Sequence, residues 1–227
     1  MKKNILYIHG FNSSPLSLKA EQTRKYLARN FPEVGFFCPQ LATTPMQAIA
    51  QLEQILEQET VPATEKNSSN TVSTQWCLIG SSLGGYFARY LAKKYNCLAV
   101  LVNPAITPYE LLHDYMGEQV NPYTKEVFQV TQGHIAQLKS LEQNAPTSTG
   151  SEKNNYLVMV QTGDEVLNYR QAVQQYQHCR LIVQEGGDHS FINFEQCLPN
   201  ISKFFNLPSI TLATPNLPLT GNTLSLP

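Results

Sequence analysis

The sequence predicts a single α/β domain, a mostly parallel sheet with helices on both faces and a small helical lid insertion. Three observations carry this expectation. Short apolar runs alternate with helical apolar patterns along almost the whole chain, as repeated strand–helix–strand units require. The 227 residues, 42% hydrophobic and 15% charged, suit one well-buried core. A glycine-flanked serine stands where one apolar run gives way to a helix.

In order, Asn4–His9 reads as a buried strand, and Ser17–Asn30 as an amphipathic helix. Val34–Cys38 reads as a second strand, and Pro45–Glu59 as a helix with Ile49, Leu52 and Leu56 on one face. Trp76–Gly80, Leu83–Tyr95 and Leu98–Val102 follow as strand, helix and strand. Tyr156–Val160 and Arg180–Val183 are strands, and Tyr169–Gln177 and Phe191–Phe205 are helices.

Three segments break the rhythm. Pro62–Gln75 and Asn144–Asn155 are polar and long for connections between strands and helices, which predicts mobile surface loops. Between Asn103 and Gln143, Val127, Val130, Leu138 and Leu141 fall on one helical face with His134 among them, which predicts the helical lid. Residues 208–227 have no charge, four prolines and no clear period. The domain is therefore expected to span 1–207 with a disordered tail after it, or one whose five leucines lie in an apolar groove.

A net charge of −1 and the lack of a long basic run give no footprint for nucleic acid or an anionic membrane. Cys38, Cys77, Cys97, Cys179 and Cys197 are odd in number, widely spaced and without a CxxC pair, and read as core filler in a reducing compartment. The start MKKNILYIHG is continuously apolar only from Ile5 to Ile8, too short for a secretion signal, and no run reaches membrane-spanning length. The expected location is the cytoplasm, without integral membrane association.

The chemistry begins at Gly80-Ser81-Ser82-Leu83-Gly84. A strand that turns sharply into a helix crowds the residue at the turn, so the positions two before and two after it must be small. Centred on Ser82 both are glycine; centred on Ser81 they would be Ile79 and Leu83. The spacing fits a G-x-S-x-G nucleophile elbow with Ser82 strained and its hydroxyl above the sheet. A glycine-rich turn that only lets helix and strand pack closely would have the same letters. A phosphate loop would not, since GSSLGG is neither G-x-G-x-x-G nor a P-loop.

A serine hydroxyl needs a base, and the base an orienting carboxylate. In the α/β-hydrolase order these follow the serine as acid, then histidine. Of five histidines, His9 precedes the elbow, His113 and His134 fall in the lid, and His178 ends a helix. His189, in EGGDHS after a late strand, is the candidate base, although a surface-loop histidine has the same context. Asp164, in VQTGDEV one strand earlier, is the candidate acid, with Glu165 the nearest rival and Asp188 third; a helix-capping Asp would look alike. The oxyanion donors are expected to be the backbone N–H groups of Leu83, opening the helix after the nucleophile, and of Phe11, in HGFNSS after the first strand.

These residues resemble the α/β-hydrolase superfamily, and within it the small bacterial YqiA-type esterases. LYIHGFNSSPLSLKA, IGSSLGGY, VNPAITPYELLHDYMG, NPYTKE, QTGDEVLNYRQAV and EGGDHSF carry the resemblance from about Leu6 to Phe205. It implies an esterase or thioesterase acting on acyl esters or thioesters such as acyl-CoA, with Ser82 as nucleophile, Asp164 as acid and His189 as base. The family pattern reads GDEVLDY where this chain has Asn168, and it lacks the polar segment before Trp76 and the leucine–proline tail.

The expected substrate is thus a small ester or acyl thioester, with no nucleic-acid partner. Such a triad requires no metal or organic cofactor, and no His/Cys cluster has ligand spacing. Tyr109, Leu112, Tyr115, Met116 and Tyr123 of the lid are the candidate substrate-binding residues. The same triad could serve a peptidase, a carbon–carbon hydrolase or a lyase, and the fold could serve as a small-molecule receptor or interaction protein.

Overall fold

A computed structural model of the chain describes residues 2–58, 74–145 and 152–208. In chain order the first half comprises β1 (Lys2–Ile8), α1 (Leu18–Asn30), β2 (Gly35–Phe37), α2 (Pro45–Gln58), β3 (Thr74–Ser81), α3 (Leu83–Tyr95) and β4 (Leu98–Val102). The insert follows, with α4 (Pro108–Leu111), a 3-10 turn (Leu112–Tyr115), β5 (Gly117–Val120), β6 (Val127–Val130) and α5 (Gln132–Gln143). The chain continues through α6 (Glu152–Asn155), β7 (Tyr156–Gln161), α7 (Tyr169–Gln175), β8 (Arg180–Gln184), a second 3-10 turn (Phe194–Cys197) and α8 (Leu198–Phe204).

Six strands form one sheet in the order β2-β1-β3-β4-β7-β8, every neighbouring pair parallel. Strands covered on both faces bury both side-chain sets, so β1, β3, β4 and β7 read as unbroken apolar runs. Leu6, Leu78, Leu101 and Val158 face one layer of the core with residues of α2, α3, α5 and α7. Ile5, Ile79, Val100 and Met159 face the other with residues of α1 and α8. The chain leaves β1 and β3 toward opposite faces and opposite edges of the sheet. That divergence opens a crevice at their carboxyl ends, where α/β sheets place their sites.

The insert departs from the expected helical lid. Leu138 and Leu141 do lie on a helix, but Val127 and Val130 lie on β6, which pairs antiparallel with β5 from Val120↔Val127 to Gly117↔Val130. Three residues apart, Val127 and Val130 would share one face of a helix, but on the ribbon they take opposite faces, Val127 exposed and Val130 buried. The helical part is no loose flap. Ile135, Leu138 and Leu141 are core residues, the Tyr86 hydroxyl donates to the Leu138 carbonyl at 2.7 Å, and the Met46 N–H donates to Gln137 Oε1 at 3.1 Å.

Smaller differences follow from backbone conformation. The last helical segment starts at Phe194 rather than Phe191, because Phe191 and Asn193 are left-handed, with φ of 63° and 60°. Thr74 and Gln75 belong to β3, and Glu152–Asn155 form a helical turn. The rest of the two polar segments, 62–73 and 146–151, and the tail from 209 on lie outside the described residues. No helix among the described residues is long and apolar enough to cross a membrane.

Candidate active site

Ser82 leaves β3 with φ 56° and ψ −122°, a conformation L residues avoid. The glycines make it attainable. A Cβ on Gly80 would overlap the Gly84 carbonyl and sit 2.7 Å from Ala88 Cβ, and one on Gly84 would overlap the Ile8 carbonyl at the end of β1. Backbone hydrogen bonds then fix the turn. The Ser82 N–H donates to Val102 O at 3.1 Å, and the Ser82 carbonyl accepts from Gly85 at 2.9 Å and Ala105 at 3.1 Å. Ser81, the last residue of β3, is buried and by strand alternation shares the face of Ile79 and Tyr7.

Three loops meet at Ser82. His189 Nε2 lies 3.1 Å from Ser82 Oγ, and His189 Nδ1 lies 3.0 Å from both carboxylate oxygens of Asp164. An ionised carboxylate only accepts, so Nδ1 carries the proton and Nε2 offers its lone pair to the serine hydroxyl. Asp164 Oδ1 also accepts the N–H groups of Val166 at 2.9 Å and Leu167 at 2.8 Å. Burial opposes ionisation of Asp164, but hydrogen bonds from His189, Leu167 and Val166 outweigh it and hold its pKa below the usual value.

A carboxyl whose pKa is lower folded than unfolded stabilises the fold at neutral pH, and that contribution disappears as pH falls through the folded pKa. Melting temperature against pH is therefore expected to fall on acidification below the ordinary carboxylate range, and less steeply in Asp164→Asn. Superimposable profiles would contradict this.

The rival carboxylates have other work. Glu165 Oε2 accepts the backbone N–H of His189 at 3.0 Å, and Asp188 Oδ1 accepts the Ser190 hydroxyl at 2.5 Å. Asn168 caps α7, its Oδ1 accepting from Arg170 N–H at 3.1 Å, so the departure from the family pattern falls on a helix cap.

Two residues that sequence reasoning missed hold the histidine loop. Gln161, at the end of β7 and 3% exposed, uses both ends of its amide. Its Oε1 accepts from Asp188 N–H at 3.1 Å and Ile192 N–H at 2.9 Å, and its Nε2 donates to Ile192 O and Gln184 Oε1, each at 2.8 Å. Asn103, just after β4, donates from Nδ2 to Asp188 O at 3.0 Å and His189 O at 3.3 Å, and its Oδ1 accepts the Gln161 N–H at 3.0 Å. The only sequence signal was a polar residue ending each of two apolar strands. Gly187 is tied to the same clamp, since a Cβ there would overlap the Gln161 amide.

An apolar cavity of about 220 Å³ opens above Ser82 and His189, lined by Phe11, Leu83, Pro108, Leu112, Tyr115 and Leu167 among others. The two expected oxyanion-donor residues, Leu83 and Phe11, thus share the cavity with the serine and histidine. Of the expected substrate-binding residues, Leu112 and Tyr115 line it and Tyr109, Met116 and Tyr123 do not. Tyr109 packs against the core beneath Lys139, whose Nζ is 5.5 Å from its ring centre. Met116 and Tyr123 are exposed on the insert. His9, before Phe11, is buried, and burial lowers its pKa despite a contact with Gly10 O, 3.0 Å from Nδ1. Its Nε2 accepts the Leu41 N–H at 3.3 Å.

Similar folds occur in solved structures. Est1E from Butyrivibrio proteoclasticus with ferulic acid bound is similar at 12% identity and a TM-score of 0.61, over 90% of this chain and 88% of that one. The alpha/beta hydrolase domain-containing protein 10 from mouse is similar at 16% identity and a TM-score of 0.62, over 89% of each chain. The esterase domain of a Rhodothermus marinus protein is similar at 15% identity and a TM-score of 0.58, over 88% of this chain and 85% of that one. The fold is that of the α/β hydrolases. At the level of sequence, the match over residues 4–206 places the chain in the Uncharacterised protein family (UPF0227).

Proposed function

We propose that the chain is a serine hydrolase that cleaves small carboxylic esters or acyl thioesters, acyl-CoA among them, through an acyl-enzyme on Ser82. The observation that carries this reading is the hydrogen-bonded series from Ser82 through His189 to Asp164 at the floor of an apolar cavity. His189 Nε2 takes the hydroxyl proton as Ser82 Oγ bonds to the acyl carbon. The carbonyl oxygen becomes an oxyanion that accepts from the Leu83 and Phe11 N–H groups. Asp164 holds the ring in the required tautomer and stabilises its charged form. The tetrahedral species collapses by breaking the bond to the alcohol or thiol, which takes the proton from His189. Water, deprotonated by the same nitrogen, then attacks the acyl-enzyme and releases the acid.

The cavity, at about 220 Å³, is smaller than drug-sized pockets of about 300–1,000 Å³. Short acyl chains or a single aromatic ring suit it, and the ferulic acid bound to Est1E is an aromatic acid of that size class. The test is a hydrolysis series over aryl esters and CoA thioesters of graded chain length. Butyrate and hexanoate esters are expected to turn over faster than palmitate, with a pre-steady-state burst that His189→Asn loses. A normal burst in His189→Asn would remove it as base. Tight binding of one small molecule with no hydrolysis of any ester or thioester would make the protein a receptor.

A further inference from the structure

We propose that Asn121, in the insert, is a positioning residue for the oxyanion loop, its side-chain amide holding Ser13 and so aiming the Phe11 N–H. The proposal rests on the esterase reading. Gly10–Ser13 line a smaller space of about 50 Å³ that Gln40–Thr43 also line, and Phe11 and Asn12 line the cavity above Ser82 as well. Leu83 lines both. Gly10 is packed closely on Ser82, but Phe11 and Asn12, with space on two sides, depend more on specific contacts.

Most of those contacts come from the insert. The Phe11 ring meets Tyr115 edge-on with centroids 5.4 Å apart and Phe128 at 5.9 Å. Asn12, left-handed at φ 49°, donates from Nδ2 to Gln119 Oε1 at 3.2 Å. The Ser13 carbonyl accepts from Asn121 Nδ2 at 2.9 Å and, at a longer 3.3 Å, from Gln40 Nε2.

Asn121 opens the NPYTKE stretch, whose specificity the proposed chemistry leaves unused. The stretch closes on itself. Asn121 Oδ1 accepts the N–H groups of Tyr123 at 2.9 Å and Thr124 at 3.2 Å, and the backbone of Asn121 exchanges bonds with Glu126 and Lys125, each 2.9 Å. One side of the buried amide therefore builds the turn between β5 and β6, and the other reaches the oxyanion loop.

Asn121→Asp separates these two tasks, because it keeps the turn-closing acceptor and sets an oxygen against the Ser13 carbonyl in place of the donor. Hydrogen exchange by mass spectrometry is expected to show faster exchange in residues 10–14 with 117–130 unchanged. The kcat for a short aryl ester and the affinity for an alkyl trifluoromethyl ketone, which forms a tetrahedral adduct with serine, are expected to fall together by roughly ten- to a hundredfold. KM should move less than about twofold. Gln119→Ala, on the less buried side of the brace, should shift each readout the same way by less, and decides the matter if Asn121→Asp does not fold. Unchanged exchange in residues 10–14, or lost activity with full analogue affinity, would overturn the proposal. A wild-type protein that hydrolyses no ester would sink the esterase reading alone, since the exchange measurement decides the coupling independently.

Discussion

Ser82→Ala is expected to abolish ester turnover and labelling by an alkyl fluorophosphonate, while Ser81→Ala keeps both. The two serines are adjacent but face different surroundings. Ser82 Oγ is 3.1 Å from His189 Nε2, whereas Ser81 ends a strand, buried on the face of Ile79 and Tyr7. Removing the nucleophile of a serine hydrolase lowers kcat by on the order of a millionfold, leaving what binding and the oxyanion donors supply. Intact-mass measurement after labelling, with parallel initial rates, checks the pair. A label that persists in Ser82→Ala would refute the assignment, as would a Ser81→Ala protein that folds normally yet neither turns over nor labels.

Gly84→Ala is expected to damage stability and activity together. Its methyl group would overlap the carbonyls of Ile8 and His9, so α3 must retreat from β1 or the end of β1 must bend. Neither is a flexible side chain that can swing aside. Overpacking of this kind costs about 1–3 kcal/mol, with the upper end expected where backbone must yield to backbone. Both movements also separate Ser82, at the head of α3, from Phe11, two residues beyond His9. Activity should fall by roughly a hundredfold even in the folded fraction. Urea denaturation gives the first number and active-site-titrated kinetics the second. A variant with the wild-type midpoint and rate would show that the elbow does not need glycine there.

The strands and the points where they turn were legible because they depend on local pattern. Leu83–Tyr95 and Leu98–Val102 fall where the sequence places them, and the spacing of Gly80 and Gly84 selects Ser82 through a clash that the structure reproduces. That Asp164 and His189 come together at Ser82 was legible by order and by position after strands. The insert was not, since Val127 and Val130 have the spacing of one helical face, and the four residues of β6 are too few to show a two-residue alternation of their own. Nor were Gln161, Asn103 and Asn121. Each acts through bonds to residues far away in the chain, and one polar letter at the end of an apolar run does not say which loop it will hold. Residue type and neighbourhood do not tell which way a side chain faces, which is why Leu112 and Tyr115 line the cavity while Tyr109, Met116 and Tyr123 do not.

Tyr86 and Gln137 pin α5 to α3 and α2, and α4, which supplies Pro108 and Leu111 to the cavity wall, packs on α5. The ceiling over Ser82 is therefore tied to helices that pack on the sheet carrying its floor. Under the proposed function, discrimination among acyl groups becomes a matter of fixed volume. A chain too long for the space would have to leave through the mouth into water, and each methylene beyond that point would add nothing to binding. Rate against chain length should then level off or fall at a definite carbon count, and that count would measure the cavity from the kinetics.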